Sequence, residues 1–301
     1  MKILITGNMG YVGPGLLAML RRTYPDAELC GYDMGYFAHA LTNTSFLPER
    51  NLDTQYFGDV RHIQPELLTS VDIVIHLAKG NNTDKADNTE RITLQLATKA
   101  KAAGVKVFID PYGPGSNPAG AALQGLSGEN FRVTLLQFGT ACGMTDRLRL
   151  DLILNDFVFS AINEGSITIP GHANECISLI HVKDMARAIT WATGMDNRPA
   201  FLNLAAGTTD WTYRRSKLAA IVAELIPGTI VHCNNSNDMP CSSEMDFEDF
   251  GKLAPKHQPR YTIKQTILEL YAGLLEMGIG YNAFDPELLK RSNMPEAFEV
   301  L

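Results

Sequence analysis

Basic runs are scarce in this 301-residue sequence. No stretch of Lys or Arg exceeds two residues, and 26 basic against 33 acidic side chains leave a formal net charge of −7. A non-specific nucleic-acid surface needs a basic face, so nucleic acid is not an expected partner. No segment approaches the roughly 18 consecutive apolar residues of a membrane span, so no membrane is expected either. The five cysteines (Cys30, Cys142, Cys176, Cys233, Cys241) are odd in number and lack CxxC spacing. They read as reduced, mostly buried thiols of a cytoplasmic protein, not as a disulfide frame or metal site. The seven histidines form no HxH or HxxxH pair, and no metal is expected. Internal repeats and low-complexity segments are missing. Met1–Gly7 runs straight into a strand pattern, which argues against a cleavable leader.

What is present is an ordinary globular composition, 45% hydrophobic and 20% charged, enough for a core of normal size. The first 110 residues alternate short β-rich runs with helical patterns: strands at Lys2–Ile5, Glu28–Tyr32, Thr54–Phe57, Asp72–Leu77 and Val105–Ile109, helices over Val12–Arg22 and Thr89–Ala103. This β-α-β order predicts a doubly wound parallel sheet with helices on both faces, a Rossmann-like α/β fold. A sixth strand is expected at Phe131–Gln137 and helices over Leu150–Asn163, Lys183–Thr193, Trp211–Leu225 and Thr262–Met277. The division expected is a nucleotide-binding part over 1–165 and a small α/β substrate lobe over 166–301, interleaved with the main sheet.

Between the first strand and the first helix stands Gly7-Asn8-Met9-Gly10-Tyr11-Val12-Gly13. The first glycine permits a tight turn, the second lets backbone amides approach a pyrophosphate, and the third lets the helix pack on the sheet. The helix N-terminus adds unpaired amides for an anion. Asp33 follows 20 residues after Gly13, at the end of the second strand. An acid there accepts from a ribose 2′-hydroxyl and repels a 2′-phosphate. Met34 comes next and no arginine follows until Arg50, so NAD is favoured over NADP.

With these residues the sequence resembles the extended short-chain dehydrogenase/reductases, the NAD-dependent epimerase/dehydratase family that acts mainly on nucleotide sugars. Thr6-Gly7-x-x-Gly10-x-x-Gly13 is similar to its glycine motif, and Gly58-Asp59-Val60-Arg61 to its adenine-contacting segment. His76-Leu77-Ala78 is similar to the run that lies along the cofactor. Ile180-His181-Val182-x-Asp184-Met185-Ala186 and Pro259-Arg260-Tyr261-Thr262 are similar to later structural segments. The resemblance implies NAD as cofactor, held by the 7–13 loop, Asp33, Met34, Asp59, Val60, Leu77, Ala78 and Lys79. It also implies a small-molecule substrate such as a nucleotide sugar, and a homodimer through the helices after the fourth and fifth strands.

Such enzymes use a tyrosine acid/base with a lysine four residues on, because an unperturbed tyrosine near pKa 10 is a poor base at neutral pH. Here the fifth strand runs directly into Asp110-Pro111-Tyr112-Gly113-Pro114-Gly115-Ser116-Asn117-Pro118. Tyr112 matches either a tyrosine of the family's loop, here shortened, or the catalytic tyrosine. In the second placement Ser116 stands where the lysine belongs, and the glycines and prolines make a poor helix start. Lys79 and Asp110, at the ends of adjacent strands, join Tyr112 as candidate catalytic residues. Asn81, Thr140, Arg147 and Arg149 are candidate substrate contacts, with Asn82 and Thr83 beside Asn81. Three readings stay open: an NAD-dependent enzyme with a rearranged site, a non-catalytic dinucleotide-binding protein, and a non-redox isomerase or lyase.

Overall fold

In the computed structural model the described residues are 1–42, 44–79, 86–114, 119–233, 245–278 and 286–290. The first half runs β1 (Lys2–Thr6), α1 (Gly13–Thr23), β2 (Glu28–Asp33), β3 (Thr54–Phe57), β4 (Ile73–His76), α2 (Ala86–Ala102), β5 (Val107–Tyr112), α3 (Gly120–Leu126) and β6 (Arg132–Gln137). The second half runs β7 (Thr140–Cys142), α4 (Ile153–Asn163), β8 (Ser166–Thr168), β9 (Cys176–His181), α5 (Val182–Thr193) and β10 (Phe201–Ala205). It closes with β11 (Thr212–Arg214), α6 (Arg215–Leu225), β12 (Ile230–His232), α7 (Glu248–Leu253) and α8 (Ile263–Glu276).

Seven strands pair in the order β10-β6-β5-β4-β1-β2-β3, every pair parallel. Successive side chains of a strand face opposite sides, and here both sides are covered. Ile3, Ile5, Ile73, Ile75, Ile109 and Leu136 pack under Leu16, Leu17 and Leu20 of α1 and Ala186, Ile189 and Ala192 of α5. On the other face Leu4, Val74, Phe108, Val133 and Leu135 pack under Leu96, Ala97 and Ala100 of α2 and Leu123 of α3. That explains the near-continuous apolar strands of the sequence, since a parallel sheet is buried on both faces. Each such Leu or Ile contributes about 1.5–3 kcal/mol relative to exposure.

A third cluster belongs to the smaller lobe. Leu154, Phe157 and Val158 of α4 meet Leu218 and Val222 of α6 and Ile267, Leu270 and Leu274 of α8. A three-stranded sheet, β11-β9-β7, and a two-stranded one, β12-β8, complete it. The chain passes from this lobe back to the main sheet through α5, which packs on α1, and β10, which pairs with β6.

Several sequence expectations need correction. The fifth strand does not stop at Ile109. It pairs with β4 only to Ile109 but with β6 as far as Tyr112↔Gln137, so Pro111, which has no N–H to give, sits where the strand has one neighbour. Thr212–Arg214, expected as helix, is instead a strand antiparallel to β9, and α6 begins at Arg215. Cys176 is disulfide-bonded, whereas Cys30 and Cys142 are buried free thiols; the expectation of five reduced cysteines fails at Cys176.

Candidate functional site

The carboxyl ends of β1, β2, β4 and β5 open onto a cleft of about 640 Å³, the place where open parallel sheets bind ligands. Gly7, Gly10, Tyr11 and Val12 form its floor at one end, beside Asp33, Met34, Asp59 and Val60. Leu77, Ala78, Lys79 and Tyr112 line the middle, and Thr140, Ala141, Arg149 and Leu152 the opposite wall.

The glycines are there for stated reasons. Gly7 has φ 74° and lies against the backbone of Ala78, so a Cβ would overlap it in a conformation L side chains rarely adopt. At Gly13 a Cβ would overlap the carbonyl of Asn8, which is how the helix start tucks under the loop. At Gly10 a Cβ would stand 3.3 Å from the Gly7 carbonyl oxygen. Asn8 and Met9, expected to touch the cofactor, stand behind the loop: Asn8 is fully buried and donates through Nδ2 to Gln55 (2.7 Å), while Met9 is buried and offers its N–H to Asp33.

Asp33 accepts the Met9 N–H at 2.9 Å on one oxygen and the Gly35 N–H at 2.8 Å on the other. Burial pushes its carboxyl up, against the lowering effect of those two bonds. Each oxygen still has a second lone-pair direction for a hydroxyl donor. Asp59 is also pushed up by burial, but a hydrogen bond and ion pair from Arg61 outweigh this and hold it below the ordinary value. The open glycine floor, a carboxylate at the end of β2 and a second acid beyond β3 are what the adenosine and pyrophosphate of a dinucleotide require.

At the other end Lys79 forms an ion pair with Asp110, whose side chain is 1% exposed. Burial pushes the Asp110 carboxyl up, and Lys79 acts against it. Beside them His76 ends β4, fully buried, with Nδ1 2.8 Å from the Thr6 hydroxyl and Nε2 without a partner. Burial, then the Lys79 charge, hold this imidazole neutral. Tyr112 lies on β5 itself, not on a helix, and its hydroxyl donates to Asn203 Oδ1 of β10 at 3.1 Å. Burial raises its phenol.

The expected substrate residues separate. Thr140 opens β7 and lines the cleft; Arg149 lines it too, held by both oxygens of Asp151. Arg147 is not at the cleft. It is 2% exposed, and its guanidinium donates to the carbonyls of Phe37 and Ala38 and to Glu49. Asn81, Asn82 and Thr83, like Ser116, lie outside the described residues. Sequence reasoning missed Asn155, a fully buried amide in α4, whose other buried residues are all apolar. Its Oδ1 accepts the Gly143 N–H (3.0 Å), and its Nδ2 donates to the Tyr11 hydroxyl (3.2 Å) and the Arg149 carbonyl (2.8 Å). An amide beside the buried apolar positions Leu154, Phe157 and Val158 was the available signal. His181 and Asp184, in a segment the resemblance treats as structural, both bond backbone: His181 Nδ1 accepts the Lys183 N–H, and Asp184 accepts the N–H groups of Arg260 and Tyr261.

No protein-family model matches the chain. Solved structures do. MoeE5 in complex with UDP-glucuronic acid and NAD aligns with TM-score 0.71 at 16% identity, over 92% of this chain and 99% of that one. The UDP-glucuronic acid 4-epimerase of Bacillus cereus, in complex with UDP-glucuronic acid and NAD, aligns with TM-score 0.72 at 17% identity over 92% and 99%. TunA, an NAD-dependent NDP-hexosamine 5,6-dehydratase involved in tunicamycin biosynthesis, aligns with TM-score 0.71 at 14% identity over 91% and 98%. At these identities the likeness establishes architecture: the chain has the Rossmann-like fold of NAD-dependent nucleotide-sugar epimerases and dehydratases.

Proposed function

We propose that the chain binds NAD and acts with it on a nucleotide sugar, as an epimerase or dehydratase with a rearranged acid/base site. One observation carries this reading: a single cleft joins the open glycine floor and Asp33 to a reacting end bearing Lys79. Gly7, Gly10, Tyr11, Val12, Asp33, Met34, Asp59, Val60, Leu77 and Ala78 hold the dinucleotide. The dinucleotide, when bound, supplies a two-electron acceptor that is regenerated within the cycle. Thr140 and Arg149, on the far wall, meet the substrate. The structures with this fold described above bind UDP-glucuronic acid and NAD or dehydrate NDP-hexosamines, which supports the same substrate class. The reading includes a homodimer through α2 and a cytoplasmic setting; no helix among the described residues is long and apolar enough to cross a membrane.

A second reading, a dinucleotide-binding protein without turnover, is favoured by one fact. The Tyr112 hydroxyl is committed to Asn203. Incubation in D₂O with NAD and a panel of nucleotide sugars, read by mass spectrometry, separates the two. Deuterium uptake, water loss or a two-hydrogen mass change supports the enzyme. NAD binding by calorimetry with every sugar unchanged supports the second reading.

A further inference from the structure

The reacting end of the cleft is built on two neighbouring strand ends. Ile75 and Ile109 are the last paired positions of β4 and β5, so His76 and Asp110 follow side by side on the same face of the sheet. Lys79, three residues beyond His76, returns over this edge to pair with Asp110. Asp110 is sealed from solvent, whereas the Lys79 side chain is 20% exposed and lines the cleft. The ammonium therefore bridges a buried carboxylate and whatever occupies the cleft. Tyr112, two residues along the strand, gives its hydroxyl proton to Asn203 on the sheet's edge strand.

Resting on the NAD-dependent reading above, we infer that Lys79 is the group that takes and returns the substrate's hydroxyl proton, with Asp110 as its positioning residue, and that Tyr112 has no part in that transfer. The proton accounting closes within the pair. An ammonium proton of Lys79 moves along the existing hydrogen bond to the Asp110 carboxylate, leaving a neutral amine at the cleft. The substrate O–H bond then breaks, its proton going to Nζ of Lys79 and its electron pair forming the carbonyl as the carbon's hydride leaves to the two-electron acceptor that a bound dinucleotide would supply. The extra proton is returned to the same oxygen when the carbonyl is reduced again, and the Asp110 proton moves back to Lys79. Burial of Asp110 favours its protonated form and so lowers the cost of the first move. Among the described residues, the other titratable groups beside the pair are His76, held neutral, and Tyr112, whose phenol is raised by burial. Thr89 and Ile92, which α2 contributes to the cleft, carry no charge.

The test uses the full chain. Trace acetylation with acetic anhydride across pH, read peptide by peptide, reports how readily each lysine gives up its proton. Saturating NAD is expected to protect Lys79 by about tenfold or more. Asp110→Asn is expected to move the Lys79 labelling midpoint to lower pH, because the ammonium loses its counter-ion, while other lysines stay put. Should Asp110→Asn not fold, Lys79→Arg decides: arginine keeps the ion pair but stays charged at any working pH. It is expected to retain NAD affinity and to lose about 10²–10⁴-fold in kcat, the usual worth of general acid–base catalysis, on the sugar turned over in D₂O. Tyr112→Phe is expected to stay within about threefold of the parent. Lys79→Arg with near-parental turnover overturns the inference, as does a Tyr112→Phe loss as large as that of Lys79→Arg. NAD binding that leaves Lys79 labelling unchanged overturns it while sparing the proposed function. Failure to bind NAD at all overturns both.

Discussion

The hydroxyl of Tyr11 donates a 2.5 Å hydrogen bond to the carbonyl of Gly143, 132 residues further along the chain. Asn155 closes the arrangement by accepting the Gly143 N–H and donating to Tyr11 and to the Arg149 carbonyl. The glycine floor, the segment after β7 and the arginine of the far wall are thereby fixed to one buried amide. Asn155→Ala leaves the Gly143 N–H, the Arg149 carbonyl and a tyrosine lone pair unanswered in the interior, at about 1–3 kcal/mol for each buried group. Asn155→Ala is expected to lower the urea midpoint and weaken NAD binding together, while Asn155→Leu, which fills the same volume without the bonds, does no better. Denaturation and calorimetry on the two variants check this; a Leu variant as stable as the parent would count against the network.

Asp33 is the residue that should set cofactor choice. It already accepts two backbone N–H groups, so its remaining acceptor directions suit a hydroxyl and its charge opposes a phosphate. The parent is expected to bind NAD at least tenfold more tightly than NADP, at roughly 1.4 kcal/mol per factor of ten. Asp33→Asn should narrow that ratio chiefly by weakening NAD. Titration calorimetry with both dinucleotides measures it, and equal affinities in the parent would remove Asp33 from this role.

Arg147 and Glu49 form a pair in which the guanidinium is 2% and the carboxylate side chain 12% exposed. Removing one partner of a buried pair costs about 3–5 kcal/mol, because the other charge is left uncompensated. Arg147→Ala should reach that range, since it also frees the carbonyls of Phe37 and Ala38. Arg149→Ala, at the cleft, should change stability far less and act on substrate affinity instead. Comparing urea midpoints with substrate KM for the two variants tests the contrast.

Glu269 links stability to pH. Burial pushes its carboxyl up, but hydrogen bonds from His181 and Lys183 prevail and hold it below the ordinary value of 4.5. His181 Nδ1 accepts the Lys183 N–H, so Nε2 is the nitrogen that carries the proton given to Glu269. A depressed carboxylate contributes stability that is complete above about pH 4.5 and lost as pH falls through its folded value. Glu269→Gln is expected to be less stable than the parent at pH 7 and to approach it as pH drops below 4.5. Parallel losses from pH 7 to 3 in both proteins would contradict this assignment.

The alternation of apolar strands with helical periodicity made the main sheet legible, because Ile3, Leu4 and Ile5 are each buried on one face or the other. The glycine floor was legible too, since Gly7 and Gly13 stand where a Cβ would overlap backbone. What could not be read was where single polar residues point. Arg147 and Arg149 are two residues apart, yet one is folded inward onto Glu49 and the other faces the cleft. Tyr112 was read as lying beyond the fifth strand, because the apolar run ends at Ile109. Its place on β5 comes from pairing with Gln137 of β6, a contact no local pattern encodes. Thr212–Arg214 was absorbed into the next helix for the same reason: its strand exists only against β9.

The return of the chain through α5 and β10 has a consequence for how this protein is made. Synthesis runs from the N-terminus, and β6 emerges more than sixty residues before Phe201–Ala205, its outer neighbour. During that interval the nascent chain carries an open, apolar sheet border whose hydrogen-bonding groups can pair with another chain. The last strand of this sheet to arrive thus seals a surface laid down early.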